Sequence, residues 1–168
     1  MLVALVLVAI VAVAAWGWRG TITTRELKNA AYLLEGDLRY AQQQAMSNAG
    51  GGPQVEVCFR SDGYDVYTTT YGGDPLNISP SSYTVMPGTL VKSVHSGQEY
   101  AQGIQIVPPG STATVPCTAN PALPAVAFRS SGQPLFQDAA SHAITLTLGG
   151  QSMTVTIQPI TGTVTVGP

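Results

Sequence analysis

Residues 24–48 read TRELKNAAYLLEGDLRYAQQQAMSN, and the spacing of the apolar side chains in this stretch predicts an amphipathic helix. The apolar residues recur at intervals of three and four, which aligns them on one helical face; they are Leu27, Ala31, Leu34, Leu38, Ala41 and Ala45. The first five are the expected docking face for a β-sheet. The polar residues are expected on the opposite face, and these are Lys28, Glu35, Arg39 and Gln42.

The ends of this helix carry recognisable signals. Thr23 or Thr24 can cap its first turn, in which Glu26 would face the positive end of the helix dipole. Asn48 and the run 50–53, Gly-Gly-Gly-Pro, are expected to end it. The sequence therefore predicts a helical segment within residues 19–49.

A second, strongly apolar stretch precedes it. Residues 1–18 read MLVALVLVAIVAVAAWGW and contain no charged side chain. As a helix they would be about 27 Å long, close to the roughly 30 Å of a bilayer core. This stretch predicts a membrane-spanning or filament-core helix, packed through Leu2, Leu5, Val6, Ile10 and Val13. A cleaved signal peptide with Ala12-Val13-Ala14 as its site is the alternative, although no basic residue precedes the apolar run.

The two helical stretches meet at residues 16–20, Trp-Gly-Trp-Arg-Gly, where we expect a break or a kink. Arg19, Arg25 and Lys28 follow the apolar run, which by the positive-inside rule would place the rest of the chain in the cytoplasm. We expect that part outside the cytoplasm. Basic residues upstream of Met1, in a longer natural chain, would remove this conflict.

The remaining part, residues 50–168, predicts an antiparallel β domain. Apolar and polar residues alternate over 55–59, 144–148 and 153–157, which is typical of half-buried strands. Further strands are expected at 64–71, 90–94, 104–107, 125–128 and 164–166. The segments 72–80, 108–110 and 116–124 are expected as loops. The fold class is therefore α+β, with the sheet packed on the amphipathic part of the helix.

Composition excludes several functions. The 168 residues include 7 basic and 9 acidic side chains, a formal net charge of −2, and only 10% are charged. Nucleic-acid binding is therefore not expected. Cys58 and Cys117 can pair as a disulfide, remain free thiols, or bind zinc with His95 and His142. We expect no cofactor.

Catalytic signals are weak. His142, Asp138 and Ser130 or Ser131 could form a serine triad, but no G-x-S-x-G segment accompanies them. His95 and His142 are therefore expected as polar loop residues. We predict that the protein is not an enzyme.

Three segments carry a family pattern. Residues 35–46 read EGDLRYAQQQAM, residues 128–132 read FRSSG, and residues 159–164 read PITGTV. Together with the apolar start, they resemble the type IV pilin-like minor-pseudopilin family of the GspH/FimT type. The glycine and glutamate that usually precede the apolar run of this family are absent, and Thr163 stands where its DNA-binding members carry arginine.

The resemblance implies a pilin-like fold and a structural role in a type II secretion or type IV pilus system. It implies that the chain is anchored in the cytoplasmic membrane by one span, with an extracytoplasmic β domain, and that it associates with other pilin-like subunits in a filament. It also implies processing and methylation by a prepilin peptidase, if an upstream leader exists. A membrane-anchored surface binding module and a DNA-uptake pilin are the alternatives.

Overall fold

The fold is built on one long helix. The computed structural model describes residues 2–47, 54–69, 71–72, 84–85, 89–100, 102–110, 115–117, 119–129, 131–135 and 142–168, with helix side chains from Ile22 onward. Helix α1 runs from Leu2 to Ser47 without interruption. At about 1.5 Å per residue it is about 70 Å long.

This continuity corrects two predictions about the helix. No break occurs at residues 16–20, because Gly17 and Gly20 are both helical. A glycine inside a helix costs only about 1 kcal/mol relative to alanine, which the neighbouring turns can offset. Thr23, Thr24 and Glu26 consequently lie inside α1 and not at its start. The predicted end at residues 48–53 lies outside the described residues.

Eleven strands are described after the helix. They are β1 Gln54–Arg60, β2 Gly63–Thr69, β3 Tyr71–Gly72, β4 Thr84–Val85, β5 Thr89–His95, β6 Gln105–Val107, β7 Val115–Pro116, β8 Pro124–Ala127, β9 His142–Leu148, β10 Gln151–Ile157 and β11 Val164–Gly167. The two-residue strands β4 and β7 were not predicted, because they are too short to show alternation. β7 begins just before the segment 116–124, which was predicted as a loop.

The strands form more than one sheet. A five-stranded sheet has the order β5-β2-β1-β8-β7, and a four-stranded sheet has the order β11-β10-β9-β6. β3 and β4 form a separate pair, and every pairing between these strands is antiparallel. The Ile106 amide donates to the Ser61 carbonyl over 3.0 Å, which joins the two larger sheets at the turn between β1 and β2.

The main core lies between α1 and the two larger sheets. All five predicted docking residues, Leu27, Ala31, Leu34, Leu38 and Ala41, are at most 1% exposed. The same cluster contains Val57 and Phe59 of the first sheet and Ile144 and Val155 of the second. The described part of the chain is thus an α+β arrangement, with one helix packed on antiparallel sheets.

A second, smaller core lies on the other face of the five-stranded sheet. It contains Cys58, Cys117, Ala125, Ala127 and Leu135. Residues Val55 to Phe59 of β1 are all buried, because the helix covers one face of the strand and the segment after β7 covers the other. β1 is therefore the central strand of the domain.

Truncation of the docking face should destabilise the fold. We expect Leu34→Ala to lower the free energy of unfolding by about 2–5 kcal/mol, since the side chain is fully buried and leaves a cavity between helix and sheets. Urea denaturation followed by circular dichroism measures the change. Tyr32→Ala, at a half-exposed position on the same helix, is the control and should change stability by less than about 1 kcal/mol.

Candidate functional site

Polar residues on both sides of the docking face tie the helix to the sheets. Asp37 accepts a hydrogen bond from the Tyr64 hydroxyl at 2.7 Å. The Lys92 ammonium group lies 2.9 Å from the same carboxylate oxygen and 3.1 Å from the other. Tyr64 is fully buried, and Lys92 is partly buried. Asp37 is therefore an anchor between α1 and strands β2 and β5.

Gln42 has a second anchoring role near the end of the helix. Its side-chain amide donates to the Gly132 carbonyl at 2.8 Å and to the Thr161 carbonyl at 3.0 Å. One turn earlier, Arg39 donates to the Val164 carbonyl at 3.1 Å and pairs with Glu35 at 2.7 Å. The side chains of the helix thus bind main-chain groups of two distant turns and one strand.

These contacts correct the prediction that Glu35 and Gln42 lie on the opposite face of the helix, since both are partly buried. The Arg39 side chain is 54% exposed, as that prediction requires. At about 100° per residue, Gln42 is only about 60° from the centre of the apolar stripe. Its side chain therefore lies at the edge of the helix–sheet interface. The turns that it contacts are remote in sequence, so the helical spacing alone could not show this.

Two glycines make this close approach possible. Gly132 and Gly162 both have positive φ, at 83° and 68°. A Cβ atom at Gly132 would lie 2.8 Å from the Met46 sulfur, and one at Gly162 would collide with the Gly132 carbonyl and the Gln42 amide. We name this meeting point of Gln42 with the turns at Gly132 and Gly162 the helix clasp. All three segments that carried the family pattern meet there.

The disulfide lies on the other side of the sheet. Cys58 and Cys117 are bonded, with their Cα atoms 5.5 Å apart and 59 positions apart in sequence. Of the three states left open by the sequence, the structure has the disulfide, so neither cysteine is available to a zinc site with His95 and His142. The bond ties the segment after β7 to the central strand.

A polar cluster on the same outer face was not predicted. Arg60 lies 2.6 Å from Asp65 and 2.7 Å from His95 Nε2, and Ser93 lies 2.6 Å from both Asp65 and His95 Nε2. His95 is in strand β5 and His142 begins β9, so neither is the loop residue that was expected. Gly63 lies opposite both Arg60 and His95 in the ladders, and its lack of a side chain leaves room for them.

This cluster has the residue types of a serine triad but not the arrangement. In a serine triad the serine and the acid contact different nitrogens of the histidine ring. Here Ser93 Oγ and Asp65 Oδ1 both lie on the Nε2 side of His95, and Asp65 is in direct contact with Ser93. Asp65 therefore does not hold the ring from its other nitrogen, as the acid of a triad does. Of the residues that could have formed a triad with His142, Ser130 and Asp138 lie outside the described residues.

The side chains of the expected membrane residues lie outside the part of the chain that the structure describes. Leu2, Leu5, Val6, Ile10 and Val13 are all in α1, but the described side chains begin at Ile22. Within the part of the chain that the structure describes, no helix has both the length and the apolar character needed to cross a membrane.

Comparisons with known proteins do not identify a relative. No family model matches the chain, and no curated protein or solved structure matches it. The geometry of the helix clasp and of the helix–sheet interface is therefore the basis for a functional proposal.

Loss of the helix clasp should lower the stability of the domain. We expect Gln42→Ala to lower the free energy of unfolding by about 1–2 kcal/mol, because it removes two hydrogen bonds worth about 1 kcal/mol each. Gln43→Ala is the matched control, since this neighbouring glutamine is exposed. Urea titration measures both changes, and equal stability of the two variants would contradict the role of Gln42.

Alkaline pH should test the Asp37 anchor. Burial, and then the charge of Asp37, raises the pKa of Tyr64 above its usual value of 10.0. Burial likewise raises the pKa of Tyr100, to about 12. Because the folded state keeps these phenols protonated, their stabilisation is complete below pH 10 and is lost as the pH rises above it.

We therefore expect the free energy of unfolding to fall above pH 10, and to fall less steeply in Tyr64→Phe. At pH 11 the difference in this loss should be on the order of 1 kcal/mol. Denaturant titrations at pH 8 and pH 11 measure it. Tyr32→Phe, at an exposed position, is the control; a Tyr64→Phe slope equal to the wild-type slope would contradict the assignment.

Proposed function

We propose that the protein is a structural subunit of a pilin-like filament system, which assembles through the apolar N-terminal part of its helix. The observation that supports this proposal is that the helical segment 35–46 attaches the helix to the β domain. Asp37, Arg39 and Gln42 each bind the β domain, while Leu38 and Ala41 are buried against it. The segment thus fixes the position of the helix on the sheets, as a pilin-like subunit requires.

The length of the helix supports the same proposal. The first described core residue of α1 is Leu27, and the helix extends from there back to Leu2. The sequence of residues 2–16 contains only apolar side chains. Such a stretch is stable in lipid or against other apolar helices, but not in water. A subunit can therefore wait in the cytoplasmic membrane and move into a filament core without exposing these residues.

The proposal also includes the setting of the subunit. The β domain lies outside the cytoplasm, where the Cys58–Cys117 disulfide would be stable. Its partners are other pilin-like subunits of a type II secretion or type IV pilus system. A prepilin peptidase would process and methylate the chain if a leader precedes the sequence. The role is one of assembly and not of catalysis.

A charge placed in the apolar run tests the proposal. Val6→Arg should reduce membrane association and subunit contacts, because an arginine at the centre of a bilayer costs about 2.5–3.5 kcal/mol. In cells that carry the assembly system, a photo-reactive amino acid at Ile10 should crosslink the wild-type helix to other subunits. We expect these adducts to fall more than tenfold in Val6→Arg.

Gln43→Arg is the control, because it adds the same charge at an exposed position of the docked part of the helix. It should retain wild-type adducts and wild-type membrane fractionation. Recovery of the wild-type chain outside the membrane fraction without adducts would overturn the proposal. So would adducts of Val6→Arg at the wild-type level.

A further inference from the structure

The second core contains a buried carboxylate beside the disulfide. Glu56 is fully buried, and its Oε1 atom lies 3.9 Å from the sulfur of Cys117. Glu56 and Cys58 are on the same face of β1, since strand side chains alternate. The carboxylate and the two sulfur atoms all lie within 4.8 Å of one another. The apolar residues Ala125, Ala127 and Leu135 belong to the same core as the cysteines.

This donor set matches the coordination chemistry of zinc. Zinc binds cysteine sulfur at about 2.3 Å and carboxylate oxygen at about 2.0–2.2 Å in tetrahedral geometry. Ligand atoms around one such ion are therefore roughly 3.6–3.8 Å apart. The oxygen of Glu56 and the sulfur of Cys117 are already close to this separation. The sulfur atoms need only part from bonding distance, which reduction allows.

We propose that Glu56, Cys58 and Cys117 form a site with two states: a disulfide under oxidising conditions, and a binding site for zinc or a similar divalent cation under reducing conditions. Two thiolates and a carboxylate carry a charge of −3, and a divalent cation reduces it to −1. Three protein ligands and one water complete the tetrahedron. In either state, the segment after β7 remains tied to the central strand.

The chemistry of the conversion balances with a phosphine reductant. The phosphine and one water molecule give the phosphine oxide and two thiols, so the disulfide gains two electrons and two protons. Zinc then displaces the two thiol protons and binds both sulfurs and the Glu56 carboxylate. Because Cys58 and Cys117 are both buried, access needs local opening of the segment after Cys117, which includes release of the bond from the Cys117 amide to the Leu123 carbonyl.

The test uses the full chain reduced with a water-soluble phosphine and titrated with Co²⁺, which reports the site by absorption, followed by competition with Zn²⁺. We expect thiolate-to-cobalt charge-transfer absorption in the ultraviolet and strong ligand-field bands in the visible. Zn²⁺ should abolish both. Glu56→Gln keeps the shape of the side chain but removes its charge, and should weaken Co²⁺ binding at least tenfold. Glu99→Gln, at an exposed acid, is the matched control.

Each outcome decides the proposal. Absence of thiolate-to-cobalt absorption overturns it, and so does equal affinity of Glu56→Gln and the wild type, because the carboxylate would then not be a ligand. If the reduced chain is unfolded without metal, Zn²⁺ must restore its folded circular-dichroism spectrum, and at a lower concentration in the wild type than in Glu56→Gln. Failure of Zn²⁺ to refold the wild type in this way also overturns the proposal. The test does not depend on the role of the helix.

Discussion

The burial of one apolar stripe of α1 is the constraint on which the rest of the structure depends. Leu27, Leu34 and Leu38 contact a core to which both larger sheets contribute. Each sheet has apolar side chains of the main core on one face. A sheet cannot bury its own face, so another element must cover it. The helix therefore joins two sheets that are also hydrogen-bonded to each other at the turn between β1 and β2. Removal of the stripe would expose both faces at once.

Hydrophobic burial alone does not fix how a helix lies along a sheet, because it has no direction. Hydrogen bonds do have direction, and they surround the stripe in this protein. Asp37 binds Tyr64 and Lys92 near its middle, and Gln42 binds two turn carbonyls near its end. Two such contacts, more than one turn apart along α1, fix both the rotation and the axial position of the helix. This accounts for polar residues at the edge of an otherwise apolar interface.

Much of the fold could be predicted from local patterns. The 3-4 spacing of Leu27 to Ala41 identifies the docking face, and alternation identifies strands such as β9 and β10. What failed depends on distant groups. Gln42 meets carbonyls 90 and 119 positions away, and the cluster of Arg60 with His95 forms only when β1, β2 and β5 are aligned. No local spacing shows these contacts. The glycines near residue 20 suggested a break. Each costs a helix only about 1 kcal/mol relative to alanine, and the stability of the continuous helix exceeds that cost.

The central position of β1 links the two cores mechanically. Val57 and Phe59 face the helix, whereas Cys58, between them, faces the disulfide-bonded segment. A displacement of the helix would reach β1 through the main core, and β1 pairs with β2 and β8 on its two sides. The disulfide joins the middle of that strand to the segment that covers the second core. It therefore holds the second core closed at the strand that also contributes to the first.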